Sequence, residues 1–153
     1  MNKKKFISVA KDVIDLEIKA LQNLKKNINK SFNEAVFQIA NCQSKVILCG
    51  VGKSGLIASK IAATLASVGT PSFSLLASEA SHGDLGMISK KDILILISNS
   101  GETSELKNII QYAKRNKILL IGIVSKKSPN PPPRININFS LFAGFIRLAS
   151  LYY

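Results

Sequence analysis

The hydrophobic rhythm of the chain changes twice. Over residues 4–30 apolar side chains recur every three or four positions. Val9, Val13, Leu16, Ala20, Leu24 and Ile28 fall on one stripe, the spacing of an amphipathic helix that buries that stripe. A second helix is expected over 31–41, opening with Ser31 three residues before Glu34, the spacing of a capping box. From Lys45 onward unbroken apolar runs replace the helical period. Val46-Ile47-Leu48-Cys49 and Ile93-Leu94-Ile95-Leu96-Ile97 contain no polar alternation and read as strands buried on both faces of a parallel sheet. Between and after them come a helix rich in small residues (57–68), a Gly69-Thr70-Pro71 turn, a strand (72–76), a polar loop (77–87) and a helix (103–116). That last helix carries Leu106, Ile109, Ile110 and Ala113 on one face, and a further strand follows at 118–124. Strand, helix, strand, strand, helix, strand with short connections implies an α/β chain, a three-layer α/β/α sandwich with a mostly parallel sheet. Beyond Ser125 the pattern breaks. Four of the five prolines lie between 129 and 133, a density that neither a helix nor a central strand accepts. Residues 126–153 are therefore set apart as a loosely ordered tail, with room for one short strand and one apolar helix.

Two strand ends carry the candidate chemistry. The run ending at Ile97 leads into Ser98-Asn99-Ser100-Gly101-Glu102-Thr103, and the run ending at Cys49 leads into Gly50-Val51-Gly52-Lys53-Ser54-Gly55. Where a strand hands over to a helix, backbone N–H groups without an intrahelical partner and the helix dipole together favour an anion. Three hydroxyls (Ser98, Ser100, Thr103) and a glycine in one turn suit a phosphate. The glycine turn also fits G-x-G-x-x-G, yet no acidic residue stands about twenty positions on to take a ribose, which argues against a dinucleotide. A P-loop would need glycine at position 47, which is Ile47. Ligands of such sheets sit outside the carboxyl ends of the strands, where both turns belong.

Charge changes this picture little. Twenty-one basic against nine acidic residues give a formal +12, which invites a nucleic-acid reading. The excess sits in residues 1–30 and beyond Glu105, while the middle is near balance, and no aromatic residues interleave with the lysines to stack bases. Nucleic acid is not an expected partner. Cys42 and Cys49 form neither a zinc nor a disulfide framework, and a reducing cytoplasm is the natural compartment. No apolar run reaches membrane-spanning length, and Asp12, Asp15 and Glu17 interrupt any signal-peptide core, so no membrane association is expected.

Three segments together resemble the sugar isomerase (SIS) domain and, more narrowly, the D-arabinose 5-phosphate isomerase family. They are Gly50-Val51-Gly52-Lys53-Ser54-Gly55, the loop Glu79-Ala80-Ser81-His82-Gly83-Asp84-Leu85-Gly86-Met87, and Ile97-Ser98-Asn99-Ser100-Gly101-Glu102-Thr103-Ser104-Glu105. The serine-rich turn marks SIS domains in general, and the loop around His82 is the more specific signal. The match covers residues 5–125. It implies a flavodoxin-like winding and interconversion of D-ribulose 5-phosphate and D-arabinose 5-phosphate, feeding Kdo for lipopolysaccharide or capsule. On this resemblance Ser54, Ser98, Ser100 and Thr103 bind the phosphate. Gly52, Gly55, Asn99 and Gly101 line the substrate-binding loops, and Lys53, His82 and Glu105 carry the chemistry. Those residue types suit an enediolate reaction, which needs a base and a positive partner for the developing oxyanion. No cofactor and no metal are required. Glu79 and Asp84 are either loop caps or, with His82, holders of a divalent ion that would inhibit. The implied assembly is a homo-oligomer, a tetramer in the family. Most members continue with a pair of regulatory cystathionine-β-synthase-like modules that this chain lacks, and its tail reads as a shifted frame or a degenerate end. The plainer readings stay beside these: Glu105 as an acid favoured by a helix dipole, His82 as a surface residue, and the whole as a phosphosugar-binding module or inactive remnant.

Overall fold

A computed structural model gives the fold and describes residues 3–80, 82–125 and 135–138. In chain order its elements are α1 (Lys3–Asn27), α2 (Lys30–Ala40), β1 (Val46–Gly50), α3 (Lys53–Ser67), β2 (Ser72–Leu76), α4 (Ala77–Ala80), a 3-10 turn (Asp84–Met87), β3 (Ile93–Ser98), a second 3-10 turn (Ser104–Leu106), α5 (Lys107–Arg115), β4 (Leu119–Val124) and β5 (Ile135–Asn138). All five strands are parallel, in the order β2-β1-β3-β4-β5. This is the flavodoxin-type order, in which the direction of winding reverses between β1 and β3.

The period of two along each strand builds the two cores. Ile47 and Cys49 of β1, Leu94 and Leu96 of β3 and Leu120 of β4 point to one face, where Ala77 and Ala80 of α4 and Ile109 and Ala113 of α5 cover them. Val46, Leu48, Ile93, Ile95, Ile97 and Ile121 point to the other, under Ala35 of α2 and Ala58 and Ala62 of α3. Alanines on the covering helices let the strands' larger side chains fill the gap. Each fully buried Ile or Leu contributes about 1.5–3 kcal/mol by leaving water.

The amino ends of β1 and β3 are tied by Asp92, which is almost fully buried. Ser44 Oγ donates to its Oδ1 at 2.6 Å, the Ser89 N–H donates to Oδ2 at 2.6 Å, and Lys45 Nζ lies 3.0 Å from Oδ2. Helices α3 and α5 end in the same double hydrogen-bond pattern: Gly69 N to Ala66 O with Thr70 N to Leu65 O, and Lys117 N to Lys114 O with Ile118 N to Ala113 O. The left-handed position is Gly69 in one (φ 93°) and Lys117 in the other (φ 56°).

Three expectations need correction. The cap of α2 is Asn29, whose Oδ1 accepts from Ser31 N and Phe32 N, and Glu34 accepts from Gln38 instead of closing a box on Ser31. The first helix does not bury its stripe: Val13, Ala20 and Leu24 are half-buried, while Val9, Leu16 and Ile28 are exposed. A helical period shows which side chains share a face but not whether anything lies on it. The helix after β3 begins as α-helix only at Lys107, four residues later than expected, because a 3-10 turn precedes it. In the segment set apart as a tail, where one short strand had room, β5 pairs with β4. The remaining expectations for that segment fall outside the described residues.

Candidate active site

The two glycine- and serine-rich turns leave β1 and β3, which are neighbours, at the carboxyl edge of the sheet where the winding reverses. Gly50 is paired with Ile97 in the sheet, so Val51 and Ser98 open the two turns side by side.

The first turn is shaped by a close approach between strand and helix. A Cβ on Gly50 would lie 2.7 Å from the backbone C and O of Ser54, and one on Gly55 would lie 2.9 Å from the Gly50 carbonyl oxygen. Gly55 therefore lets α3 seat on β1, a packing duty, and Gly50, which sequence reasoning left out of the site, shares it. The signal available for Gly50 was its place as the first glycine of the fingerprint. Gly52 precedes α3 at φ 56°, in the left-handed region. Lys53 is exposed in the first turn of α3, which contains no acidic residue, so its ammonium adds to the positive end of the helix dipole. A cation is disfavoured there unless an anion sits nearby. Ser54 is buried beside it.

The second turn is knitted by its own hydroxyls. Ser98, 5% exposed, places its Oγ 2.7 Å from Thr103 Oγ1 and accepts from the Gly101 N–H at 3.0 Å. Ser100 is exposed and accepts from the Glu102 N–H at 3.1 Å. Ser98 and Thr103 thus set the loop's shape, and Ser100 presents its hydroxyl outward. Asn99 is half-buried, and its Oδ1 is buried without a hydrogen-bond partner. An orphan acceptor of this kind costs about 1–3 kcal/mol until a donor arrives.

Glu105 lies in the 3-10 turn rather than in the first turn of an α-helix. It is exposed. Ser104 Oγ donates to its Oε2 at 2.7 Å, and that bond together with its own backbone N–H holds the carboxyl below its ordinary range. His82 follows α4 and is exposed, its backbone N–H bonded to Glu79 O. Helix α4, which precedes His82, packs against the 3-10 turn that carries Glu105, and the turn carrying Lys53 leaves β1 at the same carboxyl edge of the sheet. Among the described residues no three His, Cys, Asp or Glu side chains gather to hold a metal ion. Cys49 is sealed in β1, where burial pushes its thiol up to about 11. No helix among the described residues is long and apolar enough to cross a membrane.

A SIS domain model matches residues 38–131. Arabinose 5-phosphate isomerase KdsD of Yersinia pestis is 50% identical over 120 residues, which are 78% of this chain and 37% of that protein. The uncharacterized protein RP505 of Rickettsia prowazekii is 44% identical over 128 residues, 84% of this chain and 40% of its own length. The chain thus spans well under half the length of these curated relatives. A protein of E. coli CFT073, solved in complex with arabinose 5-phosphate, superposes with a TM-score of 0.84 at 34% identity, over 99% of this chain and 92% of that one. With its five-stranded parallel sheet, its paired turns at the β1/β3 reversal and a matching model over more than half its length, the chain belongs to the SIS domain family.

Proposed function

We propose that the chain is the isomerase part of a D-arabinose 5-phosphate isomerase, acting on D-ribulose 5-phosphate and D-arabinose 5-phosphate in the supply of Kdo. The observation that carries this reading is the juxtaposition of the 50–55 and 98–103 turns at the reversal of the sheet, one bringing a lysine and the other a ring of hydroxyls. The relatives named KdsD and the neighbour in complex with arabinose 5-phosphate support the choice of sugar.

In this reading Ser54, Ser98, Ser100 and Thr103 hold the phosphate, with the N–H groups of Gly101 and Glu102 released to it from their serine partners. Gly52, Gly55, Asn99 and Gly101 shape the walls, and a sugar hydroxyl is the donor that Asn99 Oδ1 lacks. The Glu105 carboxylate takes the proton from C2 of the open-chain aldose. The C–H electrons form the C1=C2 bond, and charge moves onto O1, faced by the Lys53 ammonium. The proton then returns to C1 while O2 gives up its own proton and becomes the ketone oxygen. His82 is the group that moves the proton between O2 and O1. The unit carrying this chemistry is residues 1–125 with the edge strand β5. It works without a cofactor, in the cytoplasm, as a homo-oligomer.

Glu105→Gln should lower turnover about a hundredfold or more while binding of arabinose 5-phosphate survives. Solvent tritium, washed into the sugar by wild type, should stay out in the variant. Near-normal exchange in Glu105→Gln would move the base to His82. Replacing Ser98 and Ser100 together by alanine should weaken arabinose 5-phosphate binding more than tenfold, about 1.4 kcal/mol. Unchanged affinity would place the phosphate elsewhere.

One observation favours a second reading. Glu105 is exposed and held below its ordinary range, which makes it a weak base in this conformation. A module that binds phosphosugars without turning them over would keep the cradle and need no base. Binding of arabinose 5-phosphate with no tritium exchange in the wild-type chain would decide for it.

A further inference from the structure

We infer that the cavity at the amino edge of the sheet, lined by Lys90, Lys91 and Lys117, is a second binding site that takes a small, hydroxyl-bearing phosphate monoester. The inference goes beyond the isomerase reading and does not depend on it.

The cavity forms where three segments enter the sheet side by side. Residues 38–43 lead towards β1, residues 90–93 into β3 and residues 117–119 into β4. β3 stands between β1 and β4, and all three run parallel, so these segments meet at the edge opposite the 50–55 and 98–103 turns. The five residues of β1 put about 16 Å between the two edges. The cavity holds about 420 Å³, within the range of roughly 300–1,000 Å³ that small-molecule sites occupy. Cys42, Ile93 and Leu119 supply its apolar wall.

Its charge is one-sided. Among the described residues lining it the one acid is Asp92, whose two oxygens are taken by Ser44, the Ser89 N–H and Lys45. Lys45 cancels that charge. Lys90, Lys91 and Lys117 are exposed, and among the described residues none of them has an ion pair. Helices α2 and α5 end at this edge, and each helix end carries about half a negative charge. The two ends together offset about one of the three lysine charges, which leaves about two positive charges. A phosphate monoester, at about −1.5 to −2 near neutral pH, matches that remainder.

The amides describe the rest of the ligand. Gln38 Nε2 donates to Glu34 Oε1, Asn41 Nδ2 to Phe37 O, and Gln43 Nε2 to Asn41 O. With their nitrogens engaged, these side chains offer amide oxygens, and acceptors call for carbon-borne hydroxyls beside the phosphate. A sugar phosphate and a nucleoside monophosphate share that chemistry.

The test reads Cys42, the half-buried thiol in the wall, because Cys49 is sealed in β1. Iodoacetamide labelling of Cys42 is followed by peptide mass in the whole chain, with and without millimolar glucose 6-phosphate, adenosine 5′-monophosphate, inorganic phosphate or glucose. One of the two esters should slow labelling about fivefold or more, and which one does so identifies the source. Inorganic phosphate and glucose should protect far less. Replacing Lys90, Lys91 and Lys117 together by glutamine should abolish protection. Protection is a ratio of rates in one protein, so any effect of the lysines on the thiol itself cancels. The three lysines are exposed, and an unchanged circular dichroism spectrum checks that the fold survives their loss. Protection should persist in Ser98→Ala/Ser100→Ala, whose loss of the phosphate cradle at the other edge leaves this cavity alone. The lysine variant keeps the 98–103 turn and decides the matter even where the serine variant fails to fold. Protection that survives in the lysine variant, or that a folded serine variant loses, overturns the site. Equal protection by inorganic phosphate overturns the ester. A Cys42 that neither ester protects, or that does not label without ligand, overturns the cavity as a binding site and gives the lysines to the helix ends. Turnover is not measured, so failure of the isomerase reading leaves these outcomes unaffected.

Discussion

Replacing Gly50 by alanine tests whether the site depends on the contact between β1 and α3. The new Cβ would stand 2.7 Å from the Ser54 carbonyl carbon and oxygen and 3.0 Å from the Gly55 nitrogen, all backbone atoms that no rotamer change can move. Ordinary contact begins near 3.4 Å, so the first turn of α3 has to recede by about 0.7 Å, the difference between 3.4 and 2.7. Ala58 and Ala62 ride on the same helix and are buried against the sheet. A gap of 0.5–1 Å forfeits roughly a quarter to a half of each dispersion contact it opens. Overpacking costs about 1–3 kcal/mol, and backbone on the receiving side puts Gly50 at the top of that range. The alanine also stiffens the unfolded chain, which offsets about 0.5 kcal/mol. The net loss is about 2.5 kcal/mol, a fall in melting temperature of about 10 °C for a domain of this size. Thermal melts followed by circular dichroism measure it. Gly86→Ala is the control, because its Cβ meets nothing within 4 Å. That variant should stay within about 0.5 kcal/mol of wild type. Equal melting temperatures for the two variants would refute the close-packing argument. Binding of arabinose 5-phosphate should weaken in Gly50→Ala as well, since the turn carrying Lys53 and Ser54 moves with α3.

Four further outcomes follow from the same structure. Asp92→Ala should cost about 3 kcal/mol in urea denaturation, because it leaves Ser44 and the partly buried Lys45 without their acceptor. Burial pushes the Asp92 carboxyl up, but Ser44, the Ser89 N–H and Lys45 more than offset that and hold it below the ordinary range. Its pH-linked stability is therefore fully present above about pH 4 and is lost as pH falls through the lowered native value. Asp92→Asn should flatten the acid limb of the stability profile, and an unaltered limb would assign it to other groups. Lys117→Gly should raise stability by about 0.5–1 kcal/mol, read as a higher melting temperature, since it removes a side chain from a left-handed position and keeps both hydrogen bonds of the α5 terminus. Cys49 should resist iodoacetamide in the folded chain at neutral pH and react once denaturant is added. Prompt labelling of Cys49 in the native protein would show that β1 opens readily.

The sequence alone determined the strands and the place of the chemistry, because both are written in local patterns. Three continuous apolar runs and the mixed run Ser72–Leu76, each closed by a turn, mark the strands, and short connections between them leave little choice but a parallel sheet. The clusters Gly50-Val51-Gly52-Lys53-Ser54-Gly55 and Ser98-Asn99-Ser100-Gly101-Glu102-Thr103 announce two anion-friendly turns for the same reason. What the tertiary structure decided is everything that depends on which atoms meet across the chain. That β1 and β3 are neighbours at the reversal, and so bring the two turns together, is a fact of strand order. That Gly50 and Gly55 are needed for helix-on-strand contact, and that Ser98 is turned inward to Thr103 and Gly101, are facts of distance. The short edge strand β5 has too little pattern of its own and exists by pairing with β4. The stripe of α1 is the sharpest case: its period is plain in the sequence, but burial is a property of two surfaces, and a sequence pattern describes only one of them.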